Sequence, residues 1–209
     1  MLHNIVLSKD NMDLVFQTFS NNIRKINKNK KISLYIVGGS AIVSSFEYRL
    51  STMDIDAIYA IDEELTRAIE MTAQELHLPI DWLNQDFIKT PSYSSKLIEV
   101  STILKKYGQN LKIFSLPPRF LIAMKLKSSR PTGGDLDDVV YMIYELRYKN
   151  IGIEYKDVID AYKTLYDDFS NTYDYFLKKA EEAFNIPLED VTEIIENKIF
   201  INKFHHWFV

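Results

Sequence analysis

Asp54 and Asp56 stand two residues apart, separated by Ile55, in a stretch rich in β-forming residues. In a strand, residues at that spacing project from one face. Two carboxylates side by side repel each other unless a cation lies between them. A hard divalent ion such as magnesium, its shell completed by phosphate oxygens, meets that need. Upstream, the run Ile36-Val37-Gly38-Gly39-Ser40 ends an apolar segment in a tight turn. Gly38 and Gly39 would let the backbone approach a phosphate closely, and Ser40 would open a helix whose N–H groups face the anion. Two-metal catalysis of an in-line displacement needs both parts, a strand bearing metal ligands and a turn that holds a triphosphate. Taken singly, Gly-Gly-Ser is a common turn and Asp-x-Asp a common solvent face of an edge strand. Their order along the chain is what favours the chemical reading.

The elements that must position these residues follow from apolar spacing. Leu14, Val15, Phe19, Ile23 and Ile26 recur at helical intervals over residues 9 to 28, with Ser8 or Asp10 as the cap. Ile32 to Val37 reads as a strand, Ser40 to Phe46 as a short helix, and Met53 to Tyr59 as a second strand. Leu65, Ala68, Ile69, Thr72 and Leu76 predict a helix over 63 to 76. Pro79 to Leu83, 96 to 104 and 111 to 115 read as further strands, the last two joined by a turn at Tyr107 to Asn110. From Pro117 the pattern becomes helical. Pro118 suits a helix start, with Phe120, Leu121, Met124 and Leu126 on the buried side. After a turn at Pro131 to Gly134, Val139, Met142, Ile143 and Leu146 mark a helix. Asp135, Asp137 and Asp138 in its first turn suit the helix dipole. Three more helices are expected near 154 to 168, 171 to 184 and 188 to 198. The fold class is therefore α+β, a mixed sheet with flanking helices over 1–116 followed by a helical domain over 117–209.

Composition narrows the function classes. Of 209 residues, 46% are apolar and 26% charged, as in ordinary globular domains. The absence of cysteine excludes disulfides and thiolate metal sites and suits a reducing compartment. His3 and His77 lack ligand spacing, and His205-His206 could bind a metal only adventitiously, so no histidine metal site is assigned. The first residues do not form a basic segment followed by an apolar run, and no apolar stretch approaches the roughly 20 residues that cross a bilayer. The expectation is a cytoplasmic protein without a membrane partner. A net charge of -4 gives no global attraction for nucleic acid, so such a partner would need a local patch. Arg24, Lys25, Lys28, Lys30 and Lys31 form one candidate, and Lys125, Lys127 and Arg130 another. A solvated helix face or loop is the better reading of both. The tyrosines from Tyr141 to Tyr175 are better explained by helix packing than by base stacking.

Gly38-Gly39-Ser40 followed by Arg49-Leu50-Ser51-Thr52-Met53-Asp54-Ile55-Asp56 resembles the signature of the DNA polymerase β-type nucleotidyltransferase superfamily. It is similar in particular to the bacterial branch of AbiEii and MenT toxin-like proteins. Lys125 and Arg130, followed by Asp135-Leu136-Asp137-Asp138, resemble that branch's lysine-bearing helix and Asp-x-x-Asp helix. The matched motifs span residues 36 to 138. The resemblance implies a nucleotidyltransferase-type sheet in a catalytic domain over 1–116, with the helical domain completing the active site. It implies that Asp54 and Asp56 bind two magnesium ions (manganese being the alternative) and that Gly38, Gly39 and Ser40 bind nucleotide. Arg49 and Lys125 would neutralise phosphate charge, and Asp135 or Asp138 would orient the lysine or bind substrate. The implied reaction moves a nucleoside monophosphate from a nucleoside triphosphate to an acceptor hydroxyl on RNA, such as a tRNA 3′ end, or on a protein. The chain would then be the toxin of a toxin–antitoxin system, with a cognate antitoxin as partner. Many members of the superfamily use a third carboxylate as general base. Asp81, between apolar residues on an expected strand, is the first candidate here and Glu99 the second. Without an assigned base, two other readings stay open: a non-catalytic nucleotide-binding regulatory module, or a toxin–antitoxin component acting by contact.

Overall fold

A computed structural model describes residues 6–130, 132–167 and 174–205, with side chains described up to Asn202. The chain divides into two compact units. The first holds the described residues up to Ser44, Ser51–Ile88 and Ile98–Leu116; the second holds Ser45–Leu50, Lys89–Leu97 and the described residues from Pro117 on.

In the first unit, helix α1 (Lys9–Ile26) starts at a reciprocal cap. The Ser8 hydroxyl accepts the Asn11 N–H, and the Asn11 side chain accepts the Ser8 N–H. Met12, Val15, Phe16, Phe19 and Ile23 form its buried stripe, while Leu14 is exposed. Helix α3 (Glu63–Leu76) packs against it. The fully buried Asn22 donates to the Thr72 hydroxyl at 3.1 Å, a polar bridge inside an apolar contact. Strands β2 (Ile32–Ile36), β4 (Ile55–Ile58), β5 (Leu83–Asn84), β6 (Thr102–Tyr107) and β7 (Leu111–Ser115) form a mixed sheet in the order β5-β4-β2-β7-β6. β2 runs antiparallel to β4 and parallel to β7, and β4 runs parallel to β5. A separate ribbon pairs β1 (Leu7–Ser8) with β3 (Ser51–Thr52).

Three expected strands take a different form. The segment 53 to 59 is not one strand: the chain leaves the ribbon at Thr52, bends through Met53 and Asp54, and enters the main sheet at Ile55. Asp54 thus lies on a corner and Asp56 within a strand. Residues 79 to 82 form a turn, closed by the Trp82 N–H donating to the Pro79 carbonyl, because Trp82 turns inward. Its indole is fully buried, meets Phe19 edge-on at 5.4 Å, and donates to the Ile69 carbonyl. Asp81 is consequently an exposed turn residue and not a strand residue. The segment 96 to 104 splits into helix α4 (Lys96–Val100) and the start of β6, because Ser94 closes a turn that buries Leu97. Glu99 lies on an exposed position of that helix.

The second unit is helical. Helices α5 (Pro118–Ser128), α6 (Asp135–Tyr148), α7 (Tyr155–Leu165), α8 (Asp174–Asn185) and α9 (Leu188–His205) succeed one another. α5 is buried from Phe120 to Lys127, as suits a helix apolar on most sides, and packs on α6 and α7. α6 in turn packs on α8 and α9. The last helix runs to His205, past the expected end at 198. Pro131, residues 171–173 and His206, parts of an expected turn, a helix and a histidine pair, lie outside the described residues. Segment 45–50 joins this unit through Glu145, which is 1% exposed. Its carboxylate accepts the backbone N–H groups of Glu47 and Tyr48 at 2.9 and 3.0 Å.

Candidate active site

In the first unit, β2 leads directly into the turn that opens helix α2 (Gly38–Ser45). The Val37 N–H donates to the Asp56 carbonyl at 2.9 Å, extending the β2–β4 pairing to the edge of that turn. Gly38 has φ +61°, and a Cβ there would lie 3.1 Å from the Asp56 carboxylate oxygen Oδ2. The positive φ calls for glycine at this position, and the space beside Asp56 is tight. Gly38→Ala is expected to cost about 1–2 kcal/mol from the left-handed backbone alone. An unchanged denaturation midpoint would contradict that account. Gly39 lies in the first turn of α2, partly exposed. Ser40 is 1% exposed, and its hydroxyl donates to the Val37 carbonyl at 2.8 Å. Helix α2 thus begins two residues before Ser40, and this hydroxyl is turned onto the chain's own backbone.

Asp54 and Asp56 are both partly exposed. Asp54 Oδ2 accepts a hydrogen bond from Asn84 Nδ2 at 2.8 Å. Asn84 is the register partner of Asp56 on the parallel strand β5, so its side chain is on the same face. Among the described residues, no group of three or more Asp, Glu, His or Cys gathers as a metal site. The donors present are carboxylate oxygens beside a glycine turn that admits close approach. That donor set fits a hard divalent cation that keeps water and phosphate oxygens as its other ligands.

In the second unit, Arg49, Lys125, Asp135 and Asp138 come together, as their spacing by itself could not show. Lys125 Nζ lies 2.7 Å from Asp135 Oδ1 and 2.8 Å from Asp138 Oδ2, all three side chains being at most 6% exposed. Arg49 donates to both oxygens of Asp138, at 2.8 and 2.6 Å. Arg130 closes the other end on Asp135 through its backbone and guanidinium nitrogens. Burial pushes the Asp135 carboxyl up, but the Arg130 hydrogen bonds and the Lys125 charge outweigh it and hold the group below the usual carboxylate range. The Tyr48 hydroxyl donates to Asp138 Oδ1 at 3.1 Å, and burial followed by the Asp138 charge pushes this phenol up.

The basic patches resolve differently. Lys125 and Lys127 do not form a solvated face: they are 5% and 9% exposed, and Lys127 lies over the Tyr166 ring. In the early patch, Lys30 pairs with Asp62 and Glu64, and Lys25 with Glu75 at 3.6 Å. Two of its five cations thus face carboxylates. The residues that sequence reasoning missed are Asn84 and Glu145. Reading Leu83-Asn84 as the strand, in place of 79 to 83, would have set Asn84 beside Asp56. Glu145 shows in the sequence only as one half of a Glu–Lys pair with Lys149 at i+4, while the backbone N–H groups it accepts lie 97 and 98 residues away.

No helix among the described residues is long and apolar enough to cross a membrane. Neither the curated proteins nor the solved structures give a match to this chain. A family model does match, over residues 15–179, which takes in the carboxylate strand, the glycine turn and the lysine–aspartate cluster. The chain accordingly belongs to the family described as nucleotidyltransferase of unknown function (DUF6036).

Proposed function

We propose that this protein is a magnesium-dependent nucleotidyltransferase that moves a nucleoside monophosphate from a nucleoside triphosphate to an acceptor hydroxyl. The observation that carries the reading is the meeting of Asp56 with the glycine turn, which puts a carboxylate oxygen 3.1 Å from where a side chain at Gly38 would begin. Family membership supports the reaction class. Asp54 and Asp56 would hold two magnesium ions, or manganese in their place. When bound, such ions neutralise triphosphate charge and polarise the α-phosphate.

The chain's own residues do the rest. The turn at Gly38 and Gly39, with the N–H groups that open α2, binds triphosphate oxygens. Arg49 and Lys125 are assigned to phosphate charge, with Asp135 and Asp138 holding the lysine in place. The acceptor oxygen attacks the α-phosphorus, the bond to the bridging oxygen breaks, and pyrophosphate leaves. The hydroxyl proton passes to Asp81, exposed in the turn before β5, or to Glu99. The acceptor is an RNA end, a tRNA 3′ end first, or a protein hydroxyl. The resemblance to AbiEii and MenT toxin-like proteins supports a toxin role in the cytoplasm, opposed by a cognate antitoxin.

A second reading, a regulatory module that binds nucleotide without transferring it, draws on the lack of a third carboxylate beside the pair among the described residues. One assay separates the two. Purified protein, magnesium and each α-labelled nucleoside triphosphate are incubated with total RNA and protein extract. Label on RNA or protein establishes transfer and names nucleotide and acceptor class. Magnesium-dependent nucleotide binding without label establishes the regulatory module, and absence of binding overturns the site.

A further inference from the structure

We infer that Asn84 is a positioning residue for the metal-binding carboxylates, a fixed amide donor on the strand beside them. This rests on the reading of Asp54 and Asp56 as metal ligands. The β4–β5 pairing is parallel and matches Ile55 with Leu83 and Asp56 with Asn84. Asn84 therefore lies on the strand neighbouring the pair, on the face that bears Asp56. Its carboxamide has only one workable orientation. Oδ1 accepts the Asp86 N–H at 2.9 Å, which caps the short 3-10 turn Asp86–Lys89. With the oxygen so engaged, the NH2 must face the other way. There it donates to Asp54 Oδ2 at 2.8 Å, with the Asp81 carbonyl 3.5 Å away. A flipped amide would set its own oxygen against the carboxylate and lose both bonds.

The consequence concerns Asp54 more than the turn. Asp54 lies on the bend between β3 and β4, outside the regular ladder, so its backbone alone fixes its side chain less firmly than a strand would. The Asn84 bond holds one carboxylate oxygen and thereby turns the other toward a ligand. A neutral donor at this place supports the carboxylate without adding a third negative charge. Outer partners of metal ligands of this kind typically change metal affinity or activity by about 10–100-fold when removed.

Two variants separate positioning from capping. Asn84→Asp keeps an acceptor for the Asp86 N–H but loses the donor and adds a charge beside Asp54. Asn84→Ala loses cap and donor together. Mn2+ titration, with free ion followed by electron paramagnetic resonance, is run on both variants and on wild type, and thermal unfolding checks the fold. The expected result is opposite in sign: about tenfold weaker Mn2+ binding for Asn84→Ala and about tenfold tighter for Asn84→Asp. Transfer at saturating metal is expected to fall at least tenfold in Asn84→Asp, because Asp54 is then mis-set. Mn2+ affinity equal to wild type in both folded variants would overturn the inference and leave Asp54 and Asp56 as ligands. Wild type that binds no Mn2+ would overturn the ligand assignment itself, and this inference with it.

Discussion

Asp54→Asn and Asp56→Asn are each expected to lower nucleotidyl transfer roughly 10³-fold at unchanged fold. Metal ligation at a transferring phosphoryl group contributes several kcal/mol of transition-state stabilisation, and about 4 kcal/mol corresponds to that factor. Both side chains are partly exposed, and an amide keeps their shape, so the unfolding midpoint should move little. The effect should fall on kcat as well as KM, since the charge being neutralised grows as the bond to pyrophosphate breaks. Single-turnover transfer with each variant, at several magnesium concentrations, measures it. Raising magnesium should recover part of the loss in a variant that merely weakens binding. Wild-type turnover in either variant would remove these carboxylates from the mechanism.

Lys125→Met is expected to carry the largest loss of stability, about 3 kcal/mol, at the lower end of what breaking a buried ion pair costs. The lower end applies because each carboxylate keeps one cation: Asp135 keeps Arg130, and Asp138 keeps Arg49. For a chain of this size that corresponds to a fall of about 6–12 °C in the unfolding midpoint. Lys125→Met combined with Asp135→Asn should recover part of the loss, since one of the two buried carboxylates that shared the lysine is then neutral. A single-variant loss below about 1 kcal/mol would show that the surrounding arginines suffice. The same cluster gives a pH signature. Asp135 is held below the usual carboxylate range in the folded protein, so its contribution is complete above the unfolded value, about pH 3.9, and fades as pH falls through its folded value. Denaturant midpoints followed from pH 7 toward pH 3 should therefore fall less steeply in Asp135→Asn than in wild type. Equal slopes would place the acid sensitivity elsewhere.

The contrast between these two predictions follows from where each group sits. The Asp54/Asp56 pair is partly exposed and flanked by a glycine turn, so in the proposed function its value is what it would bind. Lys125, Asp135 and Asp138 are almost wholly buried, so their charges must first be satisfied within the cluster. Lys125 already spends two of its donors on Asp135 and Asp138. The surface of this cluster is carried by its arginines, Arg49 at 31% and Arg130 at 63% exposed.

Local chemistry was enough to read several parts of this protein from its residues. The boundaries of α3 followed from apolar spacing, and the starts of α1 and α5 from a capping serine and a proline at the first turn. The Gly38 turn was legible for a similar reason, since a positive φ needs glycine. The nucleotidyltransferase class, which the family match supports, was legible from the short Gly-Gly-Ser and Asp-x-Asp motifs. Interactions distant in sequence decided the rest. Whether 79 to 83 is a strand depended on Trp82 finding Phe19 and the Ile69 carbonyl, which local β-propensity does not report. The strand expected over 53 to 59 broke at Asp54 because Ser51–Thr52 pairs with Leu7–Ser8 while Ile55–Ile58 pairs with β2 and β5. Segment 45–50, which carries Arg49, joined the helical unit through contacts far apart in sequence, among them backbone N–H groups donated to the buried Glu145 and the Arg49–Asp138 pair. Spacing along the chain sets which side chains share an element, whereas burial and strand pairing set which charged groups meet. The partnership of Asn84 with Asp54, and of Lys125 with two aspartates, therefore became visible only in the folded chain.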